Sequence, residues 1–205
     1  DLGMEHMAVT DHGNLYSAVD FYTSAKDAGI NPIIGCEVYV APGHRTSRNV
    51  SEKSPYHLTL LSKNETGYKN LIQLVTKANL EGFYYKPRID RDLLGEHSEG
   101  LIVLSGCPSG EIPKALLEGR ADDAQEAAAW YGEVFDDYYL ELQRHELDLL
   151  TPINQGLLKM NQDLDIPLVA TNDVHYIHRE DASIQDILLC IQTNSLVQDE
   201  NRMKM

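Results

Sequence analysis

Short apolar runs and helix-length amphipathic segments alternate along almost the whole chain. The runs are "HMAVT", "NPIIGCEVYV", "YHLTLLSK", "GLIVLSGC", "YYLELQ" and "IPLVATNDV". Between them lie "NLYSAVDFYTSAKDAG", "NETGYKNLIQLVTKANLEG", the pair "SGEIPKALLEG" and "ADDAQEAAAWYGEVF", and "LLTPINQGLLKMNQDL". "REDASIQDILLCIQT" follows the last run. Apolar residues three and four apart mark a helix face, as at Leu15, Val19 and Tyr22, or at Leu71, Leu74, Val75 and Ala78. Asn14 is placed to cap the first of these helices and Gly29 to stop it. Runs too short for a helix, bounded by turn formers, read as strands. "APGHRTSRNVSEKSP" is polar and rich in turn formers and reads as a loop. This alternation predicts an α/β fold with a mostly parallel sheet. Neither G-x-G-x-x-G nor a P-loop sequence occurs, so the common nucleotide-binding open sheets lose their main support. A closed or nearly closed barrel is the expectation.

The chain has 205 residues, enough for one domain with a substantial core. Its three cysteines, Cys36, Cys107 and Cys190, are far apart and odd in number. That argues against a disulfide framework and predicts a reducing, cytoplasmic setting. No apolar run approaches the roughly 20 residues of a membrane helix, and no membrane partner is expected. The net charge of −15 would repel a phosphate backbone unless bound cations offset it. "DLG" reads as a helix tail closed by Gly3, and no initiator Met precedes it. A longer protein is therefore expected, with an earlier strand and helix upstream. "SLVQDENRMKM" trails off polar at the other end.

The informative polar residues fall on or beside the strands. Asp11 and His12 end the first strand. Glu37 interrupts an apolar run, Cys107 ends another, and Asp173 and His175 close "LVATNDVH". In parallel α/β barrels the C-terminal strand ends line one mouth, where active sites form. A carboxylate buried beside imidazoles needs compensation, and a metal ion supplies it. Imidazole, carboxylate and thiolate together suit zinc, manganese or iron better than magnesium or calcium. The Asp-x-His spacing sends both side chains to one side of an extended strand. Asp11 and His12 would point to opposite sides, which favours His12 as a ligand and Asp11 as a partner that fixes a ring orientation. Each residue also has a plainer reading. An Asp-His pair can serve a turn or a cap, Cys107 can be a small buried hydrophobe, Asp173 can cap the next segment, and Glu37 can pair with Arg88. The remaining histidines, His6, His44, His97, His145 and His178, lie mostly in polar loops or at helix ends.

Several stretches also follow one another in the order and spacing of a known domain. They are "AVTDHGNLYSAVDFY", "AGINPIIGCEVYVAPG", "YHLTLLSKNETGYKNLIQLVTKA", "FYYKPRIDRDLL", "GLIVLSGCPSGEI", "YYLELQRH" and "PLVATNDVHYIHREDASIQDILLCIQT". The chain resembles PHP (polymerase and histidinol phosphatase) domains, of the kind found at the front of bacterial DNA polymerase III alpha subunits. The match runs from residue 1 to about residue 202, leaving 203–205 as the start of a linker. The resemblance implies a distorted seven-stranded, TIM-like β/α barrel whose first strand lies upstream of this chain. It implies up to three divalent metal ions, zinc, manganese or iron. Their ligands would be His12, Glu37, His57, Cys107, Asp173 and His175, with His12, Asp173 and His175 also catalytic. His57 comes from the resemblance alone, because it opens its strand. The family's first His-x-His motif and the acid that follows it are absent from this chain. The implied activity is metal-dependent phosphodiester hydrolysis, as 3′→5′ exonuclease proofreading in DNA replication. The implied partners are a DNA 3′ end, the polymerase core of the same chain and a proofreading subunit. Two rival readings stand beside it: a scaffold module without catalysis, and a stand-alone phosphomonoesterase.

Overall fold

A computed structural model describes residues 3–50, 54–145 and 147–203. The chain divides into two units, Asp1–Thr171 and Asn172–Met205. The first contains strands β1 (His6–His12), β2 (Asn31–Val40), β3 (Tyr56–Ser62), β4 (Arg88–Ile89), β5 (Leu101–Leu104), β6 (Asp137–Gln143) and β7 (Leu168–Thr171). Its helices are α1 (Ala18–Asp27), α2 (Glu65–Leu80), α3 (Arg91–Glu96), α4 (Glu111–Leu117), α5 (Ala121–Val134) and α6 (Leu150–Leu164). The second unit holds a 3₁₀ turn (Arg179–Asp181) and α7 (Ala182–Thr193). Every strand and helix read from the sequence is present, while β4 and α3 had no separate reading. The helix tail expected at Asp1 and Leu2, and Lys204 and Met205 of the expected linker, lie outside the described residues.

The seven strands form one sheet in the order β1-β2-β3-β5-β6-β7, with β4 added to β2. It curls into a half-barrel, in keeping with a distorted TIM-like barrel. The sheet is mostly parallel, as expected, with one reversed strand. β1–β2, β2–β4, β5–β6 and β6–β7 are parallel, but β3 runs antiparallel to both of its neighbours, β2 and β5. β2 organises this end of the sheet. β3 occupies one of its edges over Gly35–Val40, while β1 covers the other only as far as Glu37. There β1 ends, and β4 takes over opposite Tyr39 and Val40.

The core lies between the sheet and its helices. Leu58 and Leu60 of β3, Val103 of β5 and Leu140 of β6 pack with Leu71 and Leu74 of α2, Ile112 of α4, Ala128 and Tyr131 of α5, and Leu157 of α6. The apolar face expected for α2 is the buried one. α1 differs: Val19 and Tyr22 are exposed, and Ala18 and Ala25 are buried instead. Small residues let this helix lie close to the sheet. Its start also differs from expectation. Asn14 accepts the N–H of Tyr16, whereas the Asp11 carboxylate accepts the Ser17 N–H at 2.8 Å and its hydroxyl at 2.7 Å.

Two buried polar residues pin the β2–β3 loop. Arg88, fully buried, donates from Nη2 to the carbonyls of Arg45 and Ser47 and from Nε to that of Gly82. Asp90 caps α3 by accepting the Leu93 N–H at 3.0 Å, and also accepts the N–H of Arg45 and its guanidinium. Burial alone would raise the Asp90 pKa, but the hydrogen bonds from Arg45 and Leu93 outweigh it and hold the carboxyl below its ordinary 3.8. A carboxyl depressed in the folded state stabilises fully above its unfolded pKa, and that contribution fades as pH falls through the folded value. Asp90→Asn is therefore expected to cost about 1–2 kcal/mol at neutral pH and to flatten the acid limb below about pH 4. Urea unfolding at pH 7 and pH 3 checks this; a wild-type and variant pair differing equally at both pH values would refute it.

Candidate metal centre

Sheet register explains how Glu37 acquires its neighbours. In β1–β2 pairing His12 stands opposite Glu37, and in β2–β3 pairing His57 stands opposite Tyr39, two residues further along β2. Paired residues share a face, and so do residues two apart on one strand. Glu37, His12, Tyr39 and His57 therefore occupy one face. Because β3 runs against its neighbours, its first residues lie level with the C-terminal end of β2. His57 thus obeys the strand-end rule by opening its strand.

Cys107 arrives from β5 through the turn Ser105–Gly106–Cys107. This turn folds back on the start of β3, where the His57 N–H donates to the Ser109 carbonyl at 3.1 Å. Gly110 N–H closes the turn on the Cys107 carbonyl at 2.7 Å. The result is a convergence of three donor groups. His57 Nδ1 lies 2.6 Å from Glu37 Oε1 and 3.5 Å from Cys107 Sγ. Ligand atoms of Glu37, His57 and Cys107 all lie within 4.8 Å of one another. His12 sits at the rim with its side chain 42% exposed and Nε2 3.9 Å from Glu37 Oε2. The Tyr39 ring packs edge-on against His57, centroids 5.3 Å apart.

Burial lowers the pKa of His57, but hydrogen bonds to Cys107 and Glu37, with the charges of both, more than reverse this and raise it to about 10. Tyr39 is pushed up to about 12 by burial and by the neighbouring Glu37 carboxylate.

A second buried carboxylate braces the site from behind. Glu141 of β6 accepts the Gly106 N–H at 3.1 Å, the Gln143 amide at 3.1 Å and the Thr171 hydroxyl. Its own N–H donates to Ser105 Oγ at 2.8 Å. One side chain thus ties the turn that carries Cys107 to the end of β7. Sequence reading passed over Glu141, although "YYLELQ" carries the signal that singled out Glu37, a carboxylate inside an apolar strand.

Asp11 makes a contact other than the expected ring. Its carboxylate holds Ser17 and so fixes the loop after His12, a capping role. Asp173 and His175 belong to the second unit, where they form a pair of their own. Asp173 is not extended, since its φ of 47° is left-handed. The two-residue alternation expected of a strand therefore does not apply. The turn instead brings His175 Nδ1 to 2.8 Å from the Asp173 carbonyl and 3.9 Å from its Oδ1.

Residues 1–145 match the family model described as PHP domain. The chain belongs to the PHP-domain family. Proteins named DNA polymerase III subunit alpha align with nearly all of it: that of Borreliella burgdorferi is 50% identical over 98% of this chain and 18% of its own length. The Treponema pallidum protein is 49% identical over 99% of this chain and 18% of its own length, and that of Deinococcus radiodurans 46% over 97% and 15%. The chain thus spans under a fifth of the length of these relatives. No helix among the described residues is long and apolar enough to cross a membrane.

The donor set of this PHP domain fits a metal ion. Neighbouring donors in a tetrahedral zinc site stand roughly 3.3–3.8 Å apart, and the His57–Cys107 separation of 3.5 Å falls in that range. The shorter Glu37–His57 contact is a hydrogen bond that an ion would open. Glu37, His57 and Cys107 would supply three donors to such an ion.

Proposed function

We propose that this chain is the PHP module of a DNA polymerase III alpha subunit, spanning residues 1–202, and that its metal centre hydrolyses phosphodiester bonds. In the intact protein this would serve 3′→5′ proofreading during replication. The reading rests on the convergence of Glu37, His57 and Cys107 at one end of the sheet. The full ligand set would be His12, Glu37, His57, Cys107, Asp173 and His175, holding up to three zinc, manganese or iron ions. A bound ion would lower the pKa of a coordinated water and neutralise phosphate oxygens. The protein's own groups would divide the remaining work. Glu37 would hold the ions from a buried strand, Cys107 and His57 would complete that wall, and the more exposed His12 would bind at the rim. Cations at this mouth would also offset the net charge of −15, which otherwise opposes a DNA 3′ end. The partners would be that DNA end, the polymerase core of the same protein and a proofreading subunit.

In a full-length subunit bearing this domain, Asp173→Asn should abolish shortening of a 5′-labelled single-stranded oligonucleotide and leave DNA synthesis intact. Unchanged shortening would refute the assignment. Bound metal without hydrolysis by the wild type would establish a scaffold role instead. Turnover of a small phosphomonoester alone would identify a monoesterase.

A further inference from the structure

The loop between α2 and β4, "GFYYKPR", departs from the economy of the rest of the fold. Tyr85 has a φ of 61°, a left-handed conformation that bulky side chains seldom adopt. The residue is also 71% exposed, so no core burial compensates the strain. Phe83, 55% exposed, lies in the same loop. The loop is held firmly in spite of this. Tyr84 N–H donates to the Lys86 carbonyl at 3.0 Å, and the Tyr84 ring lies under the guanidinium groups of Arg88 and Arg48 while meeting Tyr85 edge-on at 4.7 Å. Strained residues kept in place by their surroundings cluster at functional sites.

The loop adjoins the metal centre. The Lys86 ammonium lies 5.2 Å from the centre of the Tyr39 ring, whose other neighbour is His57. Pro87 packs on Gly13, the residue after His12. A Cβ there would come within 2.7 Å of Pro87 Cγ, and the φ of 69° also calls for glycine. The charge here is opposite to that of the whole chain. Lys86 forms no ion pair among the described residues, and Arg48 donates to the carbonyls of Arg45, Ser47 and Glu81 rather than to a carboxylate.

We propose that Phe83 and Tyr85, with Lys86 beside them, form a stacking platform for the unpaired bases of a single-stranded nucleic acid whose backbone enters the metal centre. Exposed aromatic rings beside cations are the general means of holding single strands without reading sequence, because every base has a π face. The platform deepens the hydrolytic reading and rests on it for the direction of the strand. It adds the residues that would hold the strand and the selectivity they impart: unpaired ends would be held and paired ends would not.

The test is fluorescence anisotropy of a labelled twelve-residue oligothymidylate with the metal-loaded chain, the oligonucleotide carrying phosphorothioate linkages at its 3′ end so that binding is read without shortening. Tyr85→Asn is the main variant, because asparagine tolerates the left-handed turn. Phe83→Ala is the second. Each is expected to weaken binding about tenfold, with metal content unchanged and, for Tyr85→Asn, a melting temperature equal to or above the wild type. Equal affinity in wild type and variants would overturn the platform, as would equal affinity for a duplex. So would absence of single-strand binding by a metal-loaded wild type, which would leave the rings to a protein partner. None of these results touches hydrolysis, which the Asp173→Asn assay judges separately.

Discussion

Glu37→Gln is expected to abolish metal binding at the Glu37, His57 and Cys107 cluster. Glutamine has nearly the same shape, so the strand and its neighbours should persist. What changes is the charge and the donor. A neutral amide is a poor ligand, and it would turn an N–H₂ group toward a site built to accept a cation. Glu37 is 8% exposed and sits between His12 and His57, so no water can replace its carboxylate at low cost. Altering a group merely behind a ligand costs roughly 10–100-fold in metal affinity, and loss of a buried ligand should reach or exceed the upper figure. Elemental analysis after purification without chelators, followed by competition with a metal indicator, measures this. His175→Ala, measured alongside, reports whether the pair in the second unit contributes to the same ion count. Metal retained in full by Glu37→Gln would show that the convergence of Glu37, His57 and Cys107 is a structural hydrogen-bond cluster.

Gly67→Ala is expected to destabilise the fold by about 3 kcal/mol, the upper part of the usual range for overpacking. In an isolated helix the same change would help by roughly 1 kcal/mol. Here α2 begins against the backbone of the α3–β5 turn. Asn64 Oδ1 accepts the Gly67 N–H at 3.0 Å, and the Lys63 N–H donates to the Gly100 carbonyl at 2.9 Å. A Cβ on Gly67 would stand 1.7 Å from that carbonyl oxygen. The obstacle is backbone, so no side-chain rotation relieves it, and the helix start would have to move. A shift of the urea midpoint with unchanged slope is the expected observation. A midpoint equal to or above that of the wild type would mean that α2 can slide away from the turn without loss.

Much of this architecture was legible in the residues. The alternation of short apolar runs with amphipathic segments located β1, β2, β3, β5, β6 and β7 and most of the helices, because hydrophobic periodicity is a local property of the chain. β4 escaped because two residues carry no period. The apolar face of α1 was misread because Ala18 and Ala25, not the larger Val19 and Tyr22, allow close approach to the sheet. Asp11 looked like a companion to an imidazole, but the nearer demand was local. The N–H groups at the start of α1 needed an acceptor, and Ser17 folds back within reach.

By itself the sequence determined where the strands lie and that Glu37 is anomalous in an apolar run, since the cost of burying a carboxylate depends on the residues beside it. Only the tertiary structure decided that β3 runs against its neighbours. Strand direction depends on which sheet edge is free and on how far the preceding loop reaches, and neither is written in a local pattern. That reversal brings His57 level with Glu37 and Cys107. Likewise, the left-handed turn at Asp173 replaces an extended strand end, and only backbone conformation shows it. Donor types are a property of single residues; their convergence is a property of register, and register is set by the whole sheet.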